Sequence, residues 1–264
     1  MDINDLKIIY SNNTTGVNVG SQFKILYDYT DMGPNFLTSI KNEYPTYFSD
    51  PASSKYHNSF PKGLVYHSIN VAILMFRNLW LIRDSKISQK LNEFSDEEFY
   101  KYCKEAVFAG LFHDLVKVGS YLEEEKMSEA QLNYLSSLCF NNGIDFNKYS
   151  NLGKKSISEV INLLKSGKIN ELNNKEFKPQ YEYNDDNFNI GHSETSIIRL
   201  LRLGAKLSDD QIITIRYHMF SLDPLYLVDH IQRAIMMKFM HKCPMLRSIV
   251  ISEMESGFIF EDNE

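Results

Sequence analysis

Cysteine is scarce in this chain of 264 residues, which contains only Cys103, Cys139 and Cys243. Their number is odd, they lie far apart in the sequence, and no CxxC pair occurs. The sequence therefore predicts neither a disulfide framework nor a zinc site built from cysteines. We interpret the three residues as partly buried thiols of a protein from a reducing cytoplasm.

Long apolar runs and an excess of basic residues are also missing. No apolar stretch approaches the ~20 residues that a membrane span needs. The N-terminus, MDINDLKIIYSNN, lacks the basic region and apolar stretch of a signal peptide. The net charge of −6 argues against a broad basic surface for duplex nucleic acid. We therefore expect a cytoplasmic protein with neither a membrane nor duplex nucleic acid as a partner.

Glycine-rich nucleotide loops are absent too, since neither GxGxxG nor a P-loop pattern occurs, which disfavours the nucleotide-binding α/β folds. Apolar residues recur instead at helical spacing, and this periodicity predicts a helix over Leu64–Ile82. Ser95 and Glu98 form a capping-box pattern that should open a helix ending at about Phe112. The predicted fold class is all-α.

The helical pattern resumes in the C-terminal third of the chain. A helix begins at Ser193 and ends near Gly204, and Ser208 caps another over 209–220. Pro224 suits the first turn of a last long helix that reaches about Met240.

The predicted organisation is one main domain with an interruption. Residues 1–50 form an N-terminal extension of unassigned fold, and residues 51–264 form the domain. The polar, turn-rich segment at about 121–185 is an insertion containing two amphipathic pieces, 127–140 and 156–165. This insertion is either a lid over the core or a surface elaboration without a role.

Several histidines and aspartates stand inside apolar helical patterns or at their ends, where a single polar side chain is costly unless it is satisfied. Each alone suits a structural role, but together they suggest a cluster of metal ligands. Imidazole and carboxylate groups suit Mn, Fe, Co, Ni or Zn, and carboxylates also tolerate Mg. Such a cluster would bind one or two ions and polarise a water. The candidate ligands are His67, His113, Asp114, His192, His218 and Asp229.

The segments around these residues resemble known motifs. Gly63–Val71 resembles a GGLxxHSxxV segment, and Leu111–Lys117 resembles an LLHDxxK segment. Together with the order of the ligands, they resemble the signature of the HD-domain superfamily of metal-dependent phosphohydrolases. This resemblance implies that the all-α fold is an HD-domain helical bundle.

The resemblance is closest to HD hydrolases of bacterial phages and prophages. Those proteins also carry PASxKYHxxxxGGL, GHxExS and IRxHM motifs, which are matched at Pro51–Leu64, Gly191–Ser196 and Ile215–Met219. It covers roughly 50–120 and 185–240 and implies a bacterial or an infected host cell. Two departures are that Lys62 replaces the first Gly of GGL and that Val116 replaces the Gly of HDxGK.

The resemblance implies one or two divalent ions, of Mn, Fe, Co, Ni, Zn or Mg. The first ion would be held by His67, His113, Asp114 and Asp229. Asp114, the central catalytic residue, would bridge to a second ion on His192 and His218. Alternatively, these two histidines would line the pocket and bind the substrate phosphate.

Four further residues are candidates for the chemistry. Lys117 lies one helical turn from His113, so it could stabilise phosphoryl charge in the same pocket, or it is simply solvated. Glu194 either acts as a general acid or base, or supports a metal ligand through a hydrogen bond, or is an ordinary carboxylate at a helix N-terminus. Lys55 and His57, in the loop before the first ligand helix, are candidate substrate contacts.

The implied activity is hydrolysis of a nucleotide phosphoester or phosphoanhydride by metal-activated water. The enzyme would be a nucleotidase, a dNTPase or a cyclic-nucleotide phosphodiesterase. One alternative is a 3′–5′ exonuclease on single-stranded RNA or DNA, although residues 1–50 are too short for the OB domain that such enzymes usually carry. Another is a non-catalytic HD-fold binding protein, which the complete ligand set disfavours. Self-association into a homo-oligomer stays open.

Overall fold

The computed structural model describes residues 19–54, 58–150, 152–175, 177, 181–187, 190–219 and 229–257, with only the backbone of Gln232. Of these described residues, 69% are helical and 3% lie in strands, which confirms the all-α prediction. The described α-helices are α1 (Val19–Tyr29), α2 (Pro34–Glu43), α3 (Gly63–Asp84), α4 (Gln89–Glu93), α5 (Asp96–Phe112), α6 (Glu129–Asn141), α7 (Lys154–Lys165), α8 (Ile169–Asn174), α9 (His192–Arg202), α10 (Asp209–Tyr217), α11 (His230–Lys242) and α12 (Pro244–Glu255). Short 3₁₀ helices span Pro45–Phe48, Leu115–Lys117 and Phe146–Lys148, and the strands are β1 (Tyr121–Glu123) and β2 (Tyr181–Tyr183).

Helix α3 forms the centre of the main core and packs against α5 and α12. The crossing with α5 is close because a Cβ atom on Gly110 would lie only 2.7 Å from the Cα atom of Ala72. Only glycine fits there, so the two helix axes approach closely. This approach brings His67 of α3 beside His113 at the end of α5, with ring centroids 5.3 Å apart.

The sequence analysis expected no apolar stretch close to the length of a membrane span, but one helix within the described ranges, the 22-residue α3, is long and apolar enough to cross a membrane. However, 78% of its apolar window is buried inside the protein. A helix that is apolar on most sides is expected at the centre of a helical core. Burial between neighbouring helices therefore accounts for its composition.

The first described residues belong to the same core. Aromatic side chains of α1, α2 and the following 3₁₀ helix surround Phe112 of α5, with ring centroids about 6 Å apart. They are Phe23, Phe36 and Tyr47, all buried. Residues 19–50, whose fold the sequence left unassigned, thus pack on the helices that carry the candidate ligands.

Helix starts predicted from capping patterns agree with the structure. Ser95 and Glu98 form a reciprocal capping box at the start of α5, and Ser208 forms one with Gln211 at the start of α10. The last long helix was predicted to run from Pro224 to about Met240. Residues 220–228, and Pro224 with them, lie outside the described residues. The helix α11 begins at His230 in the structure.

A further helix, α12, follows a break that the sequence analysis did not predict. Pro244 has no backbone N–H and takes the first position of α12, where none is needed. Cys243 caps this helix because its Sγ atom accepts a hydrogen bond from the Leu246 N–H at 3.3 Å. The chain therefore turns back onto α3 within a few residues.

The insertion has a hydrophobic core of its own. Strands β1 and β2 pair antiparallel at its two ends, with Tyr121 opposite Tyr183. Between them, α6, α7 and α8 enclose a second cluster of buried side chains: Leu135, Cys139, Tyr149, Ile157, Val160, Leu164 and Leu172. The amphipathic pieces predicted at 127–140 and 156–165 correspond to α6 and α7.

The three cysteines are buried free thiols. Cys103 and Cys243 lie in the main core, and Cys139 lies in the core of the insertion. Burial raises the pKa of Cys103 to about 12, so its thiolate is scarce at neutral pH. The thiols therefore serve as small apolar side chains.

Candidate metal centre

The start of α3, which carries His67, depends on a tight backbone approach. A Cβ atom on Gly63 would lie 2.0 Å from the backbone oxygen of Asn58, so only glycine fits at this position. Lys62 precedes it with φ +71°, a left-handed conformation that favours glycine. This is the position at which the resembling motif has its first Gly, and here the chain holds a lysine under strain.

His113 and His218 occupy the same local position at the ends of two helices. Each is the residue that caps the C-terminus of its helix, α5 or α10. The Nδ1 atom of His113 lies 2.8 Å from the Gly110 carbonyl oxygen, and that of His218 lies 2.7 Å from the Ile215 carbonyl oxygen. Because a carbonyl only accepts, Nδ1 carries the hydrogen, and Nε2 is left as the lone-pair nitrogen of the neutral ring.

Asp114 is the centre of the site, and four imidazole Nε2 atoms face its carboxylate. His192 lies 2.6 Å from Oδ1, and His218 lies 3.4 Å from the same oxygen. His113 and His67 lie 3.4 and 3.6 Å from Oδ2. The structure thus brings together five of the six ligands predicted from the sequence.

Asp229, the sixth predicted ligand, lies at the N-terminus of α11. Its Oδ1 atom accepts a hydrogen bond from the backbone N–H of Ile231 at 2.9 Å, as a residue that caps a helix does. Among the described residues, Asp229 belongs to neither of the two groups of ligand atoms that lie close enough together to hold an ion.

Glu253 of α12 contacts the histidines instead. Its Oε1 atom lies 2.8 Å from His113 Nε2, and its Oε2 atom lies 3.4 Å from His67 Nε2. Sequence reasoning missed this residue because it predicted no helix after Met240. The signal was present, since Glu253 continues the apolar stripe of Leu246, Ile249 and Val250 at helical spacing.

The donor set fits a divalent cation. Two groups have ligand atoms within 4.8 Å of one another: His67, His113 and Glu253, and His113, Asp114 and His218. In the described part of the chain, the Nε2 atom of His218 is buried without a hydrogen bond. The buried Nε2 atom of His113 and Oε1 atom of Glu253 face each other at 2.8 Å, and in the neutral ring each presents a lone pair to the other. Such atoms are costly unless another group, such as a metal ion, satisfies them. The C-termini of α5 and α10 add partial negative charge beside them.

The two buried carboxyl groups of the site are ionised and need positive charge beside them. Burial alone would raise the pKa of Asp114, but Lys117, His113 and His192 hold it well below its usual range. Burial likewise opposes ionisation of Glu253, and His113 and His67 hold its pKa low. Although burial disfavours the imidazolium form, Asp114 and Glu253 raise the pKa of His113 to about 9. Two ionised carboxylates thus require either protonated imidazole or a metal ion beside them.

Lys117 faces the same carboxylate. Its ammonium lies 2.6 Å from Asp114 Oδ2, and its side chain is 13% exposed. The sequence analysis placed Lys117 one turn after His113 on the same α-helix. In the structure α5 ends at Phe112, and Lys117 is the last residue of the 3₁₀ helix Leu115–Lys117.

Helix α9 holds the turn between Asp114 and Lys117. Arg199 Nη1 donates to the carbonyl oxygens of Leu115 at 2.7 Å and of Val116 at 3.2 Å. The Val116 N–H donates to Ser196 Oγ at 3.0 Å. The turn, in which Val116 replaces the glycine of the motif, is therefore fixed by side chains.

The remaining predicted residues are placed as follows. Glu194 pairs with Arg216, with 2.8 Å between Oε1 and Nη2, and its side chain is 38% exposed. The ion-pair contacts of Asp114 with described residues are made by four histidines and Lys117 and do not include Glu194. Lys55 and His57 lie outside the described residues.

The site has one open side. The side chains of His113, His218 and Asp114 are at most 2% exposed, whereas that of His192 is 34% exposed. Lys117 keeps 13% of its side chain exposed. Solvent therefore reaches the site at His192 and, to a smaller extent, at Lys117.

Comparison with known proteins identifies no relative: no family model matches the chain, and neither a curated protein nor a solved structure matches it. The resemblance to the HD-domain superfamily therefore stays a prediction from the motifs. Function has to be inferred from the chain's own residues and their geometry.

Proposed function

We propose that the protein is an HD-type metal-dependent phosphohydrolase that acts on a nucleotide phosphoester or phosphoanhydride. The observation that carries the proposal is the buried carboxylate of Asp114, contacted by the Nε2 atoms of four histidines and by the ammonium of Lys117. Clusters of perturbed titratable groups of this kind are typical of functional sites.

One or two divalent ions would be held by the buried histidines and Asp114. When bound, such an ion lowers the pKa of a water and withdraws charge from a phosphoryl oxygen. The protein's part is to hold each Nε2 atom in place, which the carbonyl partners of His113 and His218 accomplish.

Lys117 and His192 would act on the substrate from the open side. The Lys117 ammonium is fixed by its ion pair with Asp114, so it would face phosphoryl oxygens without first being ordered. His192 is the most exposed of the four histidines, which suits either contact with the phosphate or a place as ligand of a second ion.

One observation favours a free nucleotide over a polymer, and a second supports recognition of a nucleobase. The net charge of −6 disfavours a polyanionic polymer. Tyr121 lies shortly after Lys117, and its hydroxyl is close enough for the lysine's charge to oppose the rise that burial causes in its pKa. With Tyr183 opposite it, 52% exposed, the base of the insertion offers aromatic surface on which a nucleobase could stack.

The test is a set of metal-loaded samples incubated with a nucleotide panel. The protein is loaded in turn with Mn, Fe, Co, Ni, Zn and Mg, and its metal content is measured by elemental analysis. The panel contains deoxynucleoside monophosphates and triphosphates, cyclic nucleotides and a single-stranded RNA and DNA oligomer. D114N removes the central charge with little change of shape, and D209N makes the same change at an exposed helix start.

We expect D209N to behave like the wild type and D114N to lose bound metal and turnover together. Release of mononucleotides from the oligomers, with the free nucleotides untouched, would favour the exonuclease. Metal binding without turnover on any member of the panel would leave a non-catalytic binding protein. A wild-type protein that takes up no metal would contradict the proposal.

A further inference from the structure

We propose that Glu253 is a metal ligand and that Asp229 is not, so that the C-terminal helix α12 forms part of the metal centre. This inference rests on the proposed function, because it concerns the same site. It replaces one carboxylate of the ligand set implied by the motifs with a residue from a helix that carries none of them.

The position of Glu253 is that of a ligand. Its carboxylate reaches both His113 and His67, with one oxygen directed to each ring, and these three residues have ligand atoms within 4.8 Å of one another. All three are buried. Two imidazoles and one carboxylate are a donor set that suits Mn, Fe, Co, Ni and Zn.

Glu253 has no comparable structural use. In the neutral ring of His113, Nδ1 carries the hydrogen, so Glu253 Oε1 faces the lone pair of Nε2 at 2.8 Å. Only a proton or a cation between the two atoms satisfies both, and a buried carboxylate is costly unless it is satisfied. Docking of α12 onto α3 is achieved by other groups. Ser248 Oγ donates to the Met75 carbonyl oxygen at 2.8 Å, and Asn78 Nδ2 donates to Ser252 Oγ at 3.1 Å.

Asp229 has a local use that does not need a metal. Its Oδ1 atom accepts from the Ile231 N–H and so caps α11. Asparagine caps helices about as well as aspartate. The substitution D229N therefore keeps this role while removing the charge that a metal ligand would need.

The experiment compares Mn²⁺ and Zn²⁺ affinity of the full chain in wild type, E253Q, D229N and D114N, by competition with a chromophoric chelator. We expect E253Q to lower the affinity at least about tenfold, since losing even a supporting partner of a ligand typically costs 10- to 100-fold. D229N should stay within about threefold of the wild type. The melting temperature without metal serves as the control for folding.

The possible outcomes distinguish failure of the Glu253 assignment from failure of the proposed function. If the wild type binds no metal, the proposed function itself fails. If the wild type binds metal and E253Q binds it equally, or if D229N loses it, then the assignment of Glu253 is overturned while the proposed function stands.

A measurement on the wild type alone covers the case in which E253Q does not fold. Hydrogen exchange is followed for α11 and α12 with and without Zn²⁺. We expect the ion to slow exchange across α12, which it would tie to His67 and His113, and to leave the first turn of α11 unchanged. Unchanged exchange in α12 would contradict the proposal.

Discussion

Asp114 and Lys117 form a buried ion pair in this site. The ammonium and the carboxylate lie 2.6 Å apart, and both are largely withdrawn from solvent. Burial would lower the pKa of Lys117, but Asp114 overcomes this and raises it. Lys117 is therefore a fixed positive charge, and its role would lie in turnover more than in holding a metal ion, which an ammonium cannot ligate.

We predict that K117M leaves the metal content unchanged and lowers kcat about 10²- to 10³-fold, as the loss of one fixed transition-state contact does. Elemental analysis and steady-state kinetics on the most active nucleotide check the two parts. K101M, at an exposed position of α5, is the matched control and should have neither effect. A K117M protein with full kcat would remove Lys117 from the mechanism.

Most of the candidate ligands that the structure brings together could be predicted because each breaks a pattern that the sequence displays. His67, His113 and His218 interrupt apolar helical stretches, and they converge in the structure. Glu253 likewise places a carboxylate at a position of an apolar stripe, but its helix lies beyond the last helix predicted from the sequence. Asp229 was predicted as a ligand but caps α11 in the structure. Sequence alone does not distinguish an aspartate that caps a helix from one that binds a metal ion.

At the scale of the elements, the start of α3 is strained where the sequence departs from the motif. Lys62 has φ +71°, which costs a residue with a side chain about 1–2 kcal/mol. The Lys62 N–H nevertheless donates a hydrogen bond to the Ser49 carbonyl oxygen at 2.8 Å. This backbone hydrogen bond helps to hold the strained residue in place.

We predict that K62G raises the free energy of unfolding by up to about 1 kcal/mol, because relief of strain exceeds the glycine's added freedom in the unfolded chain. Urea unfolding monitored by the fluorescence of Trp80, the only tryptophan and a residue of α3, reports on this helix. K101G, inside α5, should instead lose about 1 kcal/mol. Equal losses in both variants would mean that Lys62 is unstrained.

The helices themselves were largely predictable from capping residues and periodicity. Ser95 and Ser208 cap α5 and α10 as expected, because their side chains satisfy backbone N–H groups that any helix start exposes. The 3₁₀ helix Leu115–Lys117 was not predictable, because its shape depends on Arg199, which comes from a distant part of the chain.

Over the whole molecule, two hydrophobic cores are separate. The main core contains the helices that carry the candidate ligands, whereas the second core lies within 127–177. The strand pair β1–β2 joins them. The sequence indicated the insertion through its polarity, but its independent core depends on contacts between α6, α7 and α8 that only the structure reveals.

We predict that I157A destabilises the insertion alone. Ile157 is fully buried in the second core, and such truncations cost about 2–5 kcal/mol. Hydrogen exchange should become faster in α6, α7 and α8, while the metal content and the Trp80 unfolding midpoint stay unchanged. I215A, fully buried in the main core, should shift that midpoint. A shift of the midpoint in I157A would show that the two cores unfold as one unit.

The distribution of the histidines along the chain sets the order in which the site is completed during synthesis. His67 and His113 leave the ribosome early, followed by the whole insertion, and His218 comes much later. A nascent chain therefore carries two of the candidate imidazole ligands, together with Asp114, long before their partners exist. Under the proposed function, metal would be bound by the finished chain, and a ribosome-bound fragment ending in the insertion should not retain the ion.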